Sequence, residues 1–233
     1  MRRLFNWRKI TRVLLRAVEI FVILSIFSII LFRFVPIPVT PLMLLRCTEQ
    51  MADGKEVKLK KTWKSLDQIS PAMPLAVIAA EDQRFEDHFG FDVEAIRKAG
   101  EYNAKKKGKK IRGASTISQQ TAKNVFLWPS RSWIRKGFEV YFTFLLEIYW
   151  DKRRIMEVYL NVIETGDGIY GVEAAAQKYF HKPASKLTVT ESARIASILP
   201  DPRRWSPVKQ SQRLEKKTRR IIYFMGRLKT EEF

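Results

Sequence analysis

Apolar and polar positions divide this chain into two textures. From Ala17 to Val35 the residues are almost all apolar, with charge only at Glu19 and Arg33 near the two ends, and Pro36 and Pro38 stop the run. That is about the twenty residues a helix needs to cross a bilayer. Beyond it, apolar residues recur at helical spacing and are broken by Gly90, Gly108, Gly113, Pro129, Gly166 and Pro183. The spacing predicts helices over residues 74–88, 92–104, 115–126, 132–149, 151–162, 168–180 and 190–198. Period two occurs only at Lys55-Glu56-Val57-Lys58-Leu59, which suits a short strand or hairpin arm. The fold class read from this is mostly α. Residues 1–16 form a basic tail, 17–35 a transmembrane helix, 36–70 a connector and 71–233 one helical domain.

Two segments break the amphipathic pattern. On a helix over 74–88, Glu81, Phe85 and His88 share a face with Val77 and Ile78. A carboxylate on an apolar face is costly to bury, and its pKa is drawn upward toward that of a general base. The bland alternative is a solvated helix end. In the second segment Ser115 suits an N-cap, and the helix it would start carries Thr116, Gln120 and Lys123 on one face. A hydroxyl, an amide and an ammonium in a stripe are either solvated or line a cleft for a polyhydroxylated anion.

Together these segments resemble the peptidoglycan glycosyltransferase family. Glu81-Asp82-x-x-Phe85-x-x-His88-x-Gly90 and Gly113-x-Ser115-Thr116-Ile117-x-Gln119-Gln120-x-x-Lys123-Asn124 match its first two signatures. Three more follow in order: Arg135-Lys136-x-x-Glu139, then Tyr159-Leu160-Asn161 running into the glycine-rich 166–171 turn, then 187–193 with Leu199-Pro200-Asp201-Pro202. The match covers about Trp63 to Pro207 and is nearest to the family's stand-alone members, without a transpeptidase domain.

The resemblance implies a lysozyme-like glycosyltransferase domain with a small membrane-facing lobe. The implied reaction joins lipid II disaccharides by inverting β-1,4 transfer and releases undecaprenyl pyrophosphate. It makes Glu81 the catalytic base and Glu139 a second site acid on the donor side. Asp82, Ser115, Thr116, Gln120, Lys123, Arg135 and Lys136 become substrate-binding or supporting residues. Read without the resemblance, Glu139 is simply the i,i+4 partner of Arg135, Ser115 only a cap, His88 structural, and Tyr159, Leu160 and Asn161 scaffold. Thr165 stands where a bulkier residue would be expected. Mg²⁺ at the pyrophosphate, held in part by Glu139, is the one cofactor the resemblance raises. His88, His181 and Cys47 lack the spacing of a closed zinc site.

Charge narrows the partners. The formal net charge is +19, from 43 basic against 24 acidic residues, which calls for a polyanion. Arg2, Arg3, Arg8, Lys9, Arg12 and Arg16 precede the apolar run with no acid among them. The positive-inside rule then puts the N-terminus in the cytoplasm and the catalytic domain in the periplasm of a bacterial inner membrane, single-pass. No small-x-small cleavage site follows. That placement excludes nucleic acid and leaves membrane, lipid II, the lipid-linked glycan chain and other cell-wall synthesis proteins as partners. Lys105–Arg112 is either a solvated loop or a contact for anionic headgroups. Trp128 and Trp133, beside Arg131, Arg135 and Lys136, suit a bilayer interface. The rival readings are a lysozyme-like glycan-cleaving enzyme and a non-catalytic membrane-anchored scaffold.

Overall fold

The computed structural model describes residues 7–106, 113–130, 132–209, 211–228 and 233. Contacts divide the chain into two units, Met1–Val35 and Pro36–Phe233. The first holds α1, Trp7–Phe34, long and apolar enough to cross a membrane. The helix therefore begins well before Ala17 and takes in Arg8, Lys9, Arg12 and Arg16; Arg2 and Arg3 lie outside the described residues.

The second unit begins with a helix that the connector reading omitted. In α2, Pro41–Ala52, the Thr40 hydroxyl accepts from Met43 N and proline stands at the first position, a strong start signal. The strand expected at Lys55–Leu59 falls instead at β1, Lys60–Lys61. It pairs parallel to β3, Ile169–Tyr170, which pairs antiparallel to β2, Glu164–Gly166. Gly168, at φ +69°, lets the Lys58 backbone approach where any Cβ would collide with it. Residues 36–61 are thus built into the domain. Asn161 fastens the next stretch, accepting from Lys64 N and donating to Lys64 O, each at 2.8 Å. Thr165 is fully buried, with its hydroxyl donating to Ile169 O at 3.2 Å.

The rest is helical: α3 Ala72–Glu81, α4 Val93–Lys105, α5 Ile117–Phe126, α6 Trp133–Tyr149, α7 Lys152–Val162, α8 Val172–Phe180, α9 Val189–Ile198 and α10 Gln212–Met225. The amphipathic α10, with Leu214, Thr218, Ile221 and Met225 buried on one face, was not predicted. It packs with α3 and α9, while α5 packs with α6 and α7. Helix α7 supplies the centre of the second group through Ile155, Met156, Val158, Tyr159 and Leu160, all fully buried. The helix expected over 168–180 starts at Val172, because Ile169 and Tyr170 are taken by β3.

The largest correction concerns α3, which ends at Glu81 and not at residue 88. Asp82 leaves helical geometry at φ −157°, and its carboxylate accepts from Ile117 N at 3.0 Å, capping α5 across the fold. Glu81, Phe85 and His88 therefore do not share a helix face. At α5 the N-cap is Thr116, not Ser115: its hydroxyl accepts from Gln119 N while Gln119 Oε1 accepts from Thr116 N.

Candidate active site

Glu81 sits where the two helical groups meet. It is the last residue of α3 and half-buried, and its Oε2 accepts from Gln120 Nε2 of α5 at 3.0 Å. Gln120 Oε1 in turn accepts from the Tyr159 hydroxyl at 3.3 Å. Burial first, and then the charges of Glu81 and Asp82, push the Tyr159 phenol well above its usual range, so it remains a donor. With its Nε2 given to Glu81, the Gln120 amide turns its oxygen to the Tyr159 hydroxyl, which stays protonated and donates to it. Tyr159 is thus more than scaffold, and its role was not legible in sequence because it comes from α7.

The turn after Glu81 is fastened on several sides. The buried Asp82 carboxylate lies 3.0 and 3.2 Å from His88 Nε2, which therefore carries the proton toward it. The Lys152 ammonium donates to His88 O at 2.7 Å and to both Glu147 oxygens at 2.9 Å, and it lies 4.7 Å from the Phe85 ring centroid. Ser118 of α5 donates to Glu147 at 2.5 Å, and the Thr116 hydroxyl donates to Gly90 O at 2.6 Å. Gly90, at φ +75°, leaves 2.8 Å between a would-be Cβ and Thr143 Cγ2, so only glycine brings this turn against α6. Asp82 and Thr116 are thus committed to protein groups, whereas Ser115 is exposed.

Two hollows adjoin at the Glu81–Gln120 hydrogen bond. The first, about 430 Å³, is lined by the acids Glu81, Asp82, Asp92 and Glu94 and by Arg84, Lys98, Lys217 and Arg220; Glu94 pairs with Arg84 and Lys98, which leaves Lys217 and Arg220 the cations without a carboxylate partner among the described residues. Lys217 and Arg220 were missed, since they come from the unpredicted α10. Lys217 donates to Ser197 O at 3.0 Å; burial pushes its ammonium down, and Glu81 partly offsets that. The second hollow, about 510 Å³, is lined by Gln120, Lys123, Asn124, Arg135 and, from α2 and β2, Arg46 and Glu164. Burial pushes the Lys123 ammonium down; Glu139 offsets part of this, and Arg135 and Lys136 add to it.

Glu139 is buried beneath this second hollow's cations. Its oxygens meet Arg135 Nη1 at 2.7 Å and Lys136 Nζ at 2.5 Å, so both the i,i+4 pairing and proximity to the cations hold. Both oxygens are occupied by cations, and among the described residues no group of three or more acids, histidines or cysteines could hold a metal. The donor set does not fit a protein-made Mg²⁺ site on Glu139.

The arrangement is a carboxylate, Glu81, between a hollow of mixed charge and one lined by Arg46, Lys123 and Arg135. A family model described as Transglycosylase matches residues 48–226. The chain belongs to the transglycosylase family. It is 52% identical over 226 residues to a biosynthetic peptidoglycan transglycosylase of Bacteroides thetaiotaomicron, covering 97% of this chain and 90% of that protein. A biosynthetic peptidoglycan transglycosylase of Caulobacter vibrioides is 52% identical over 92% of this chain and 90% of its own length. One of Escherichia coli is 48% identical over 99% and 96% respectively. Membership of this family makes the chain a glycosyltransferase, and the mostly helical domain carried behind a long apolar helix agrees with it.

Proposed function

We propose that the protein polymerises peptidoglycan glycan strands from lipid II, with Glu81 as the base. The observation that carries this reading is the position of Glu81, held by Gln120 and Tyr159 between a hollow that Lys217 and Arg220 reach and one lined by Lys123 and Arg135. The 4-hydroxyl of an incoming lipid II, entering by the Glu81 hollow with its pyrophosphate toward Lys217 and Arg220, gives its proton to Glu81. Its oxygen then bonds to the anomeric carbon of the growing chain on the face opposite the leaving group. The bond from that carbon to undecaprenyl pyrophosphate breaks, and the electron pair leaves with the phosphate. Lys123 and Arg135 meet the charge that develops there, in a site where fixed cations need no reorganisation. Glu139 keeps Arg135 and Lys136 in place. Any Mg²⁺ would arrive on the pyrophosphate and not on a cage of protein ligands.

The apolar α1 serves as a single-pass anchor, with its arginine- and lysine-rich start in the cytoplasm and the catalytic domain in the periplasm. Trp128, Trp133 and Ile134 are exposed, Trp133 at 92%, and form the part of the domain that enters the outer leaflet of that membrane. The basic run is described only at Lys105 and Lys106; Lys107–Arg112 and Arg131 lie outside the described residues. Other cell-wall synthesis proteins are the expected neighbours.

The test is polymerisation of labelled lipid II by the full-length protein, with products sized on gels, run with and without EDTA, and a parallel incubation with finished peptidoglycan. Long glycan products from lipid II and no cleavage of peptidoglycan are expected. Cleavage without polymerisation would overturn the reading.

A further inference from the structure

The second hollow has a wall that none of the sequence motifs supplies. Helix α2 packs against α5 and sets Leu42 and Arg46 among the residues lining the space shared by Lys123 and Arg135. Arg46 is not simply neutralised where it stands. Its Nη1 meets Glu49 at 2.6 Å, but Glu49 is 43% exposed, and a surface i,i+3 pair of this kind holds its partner weakly. Its Nε is 3.8 Å from Glu164 Oε2, beyond hydrogen-bond reach. Burial drives the Glu164 carboxyl up toward its neutral form, and Arg46 only partly opposes this.

Two guanidinium Nε donors of this one hollow, those of Arg46 and Arg135, are buried with no hydrogen-bond acceptor. Both Nε atoms are shut off from the hollow, so a ligand there would meet the outer nitrogens of the two guanidinium groups, which keep donor capacity beyond the one Nη1 contact each makes to a carboxylate. Lys123, pushed down by burial and by its cationic neighbours, would be relieved by the same ligand. The chemistry that satisfies three cations and two forked donors at once is a diphosphate. The apolar neighbours Leu42, Leu127, Trp128 and Leu199 in the same lining suit a hydrocarbon chain attached to it.

We propose that Arg46 is a further substrate-binding residue of the donor hollow, taking a phosphate of the lipid diphosphate from α2 while Lys123 and Arg135 hold it from α5 and α6. The inference rests on the reading above, that this hollow holds the departing diphosphate. Glu164 is a positioning residue that keeps the guanidinium facing the hollow without discharging it.

The experiment uses full-length protein in detergent, with Arg46→Gln to remove the charge and Arg46→Lys to keep it. Farnesyl diphosphate binding, read by calorimetry, should weaken about tenfold in Arg46→Gln and recover in part in Arg46→Lys. In the polymerisation assay KM for lipid II should rise by a similar factor while kcat stays within about threefold. Flotation with phosphatidylglycerol vesicles should not change, which separates a diphosphate site from a general anionic surface. Unchanged farnesyl diphosphate binding overturns the proposal. So does a fall in melting temperature and kcat with KM unaltered, which would make Arg46 a fastener of α2. So does lost flotation with intact diphosphate binding. Wild-type protein that fails to polymerise lipid II but binds farnesyl diphosphate through Arg46 would refute the functional reading and leave this one standing.

Discussion

The turn that follows Glu81 and the hollow around Lys123 lie on either side of α5, and they treat charge in opposite ways. In the turn, Asp82 and Lys152 meet their complements at close range, although His88 Nδ1 has no hydrogen-bond partner among the described residues: Asp82 has Ile117 N and His88, and Lys152 has Glu147, a carbonyl and a ring. In the hollow, Arg46, Lys123 and Arg135 line one space, two Nε donors lack acceptors, and the buried Glu139 serves both Arg135 and Lys136. The first arrangement fastens the turn behind Glu81, the proposed base. The second leaves donor capacity that the proposed diphosphate would take up.

The sharpest test of this contrast is Glu81→Gln. It should lower the polymerisation rate by on the order of 10²–10⁴ while leaving the melting curve unchanged, since only the proton acceptor is lost. A rate within threefold of wild type would remove Glu81 from the chemistry. Next, Lys152→Met strips the buried Glu147 of its cation and the turn of its tie. About 3–5 kcal/mol of stability should go, a fall on the order of 10 °C in melting temperature. A fall below 2 °C would show that the turn is held by other contacts.

Lys123→Met should behave in the opposite way: polymerisation largely lost, and a melting temperature unchanged or raised by a few degrees, because a desolvated cation becomes an apolar side chain. A marked loss of stability there would break the contrast. The smallest effect is on pH dependence. The folded-state pKa of Lys123 is depressed, so the unfolded chain binds more protons in the window just below the ordinary lysine value. The contribution of this group to stability therefore rises with pH through that window, while its charge for diphosphate is lost. Farnesyl diphosphate affinity should decline on the alkaline side earlier than an ordinary lysine would allow, and Lys123→Arg should extend the plateau upward. Identical alkaline profiles for the two proteins would dismiss Lys123 as the titrating cation.

Much of this site is legible in the sequence, because Glu81, Gln120, Lys123, Arg135 and Glu139 sit in motifs whose helices form largely from local signals. What was hidden depends on distant partners. Phe85 and His88 keep helical spacing after Glu81, yet the helix ends there, since Asp82 caps a helix 35 residues further along. Lys217 and Arg220 reach the Glu81 hollow on α10, whose density of basic residues masked its apolar face. Helix α2 has a readable start at Thr40-Pro41, but one short helix between two proline-bounded stretches reads as a connector until its packing on α5 is seen.

The Lys61 ammonium donates to the carbonyls of Ile37 and Pro38, one at 3.2 Å. It thereby closes the chain into a loop that contains the whole of α2, while Lys61 itself is paired to β3. In terms of chain entropy this is a clasp. It closes off the span that carries α2 and joins both its ends to the small sheet, so the helix bearing Arg46 has fewer positions open to it over the hollow.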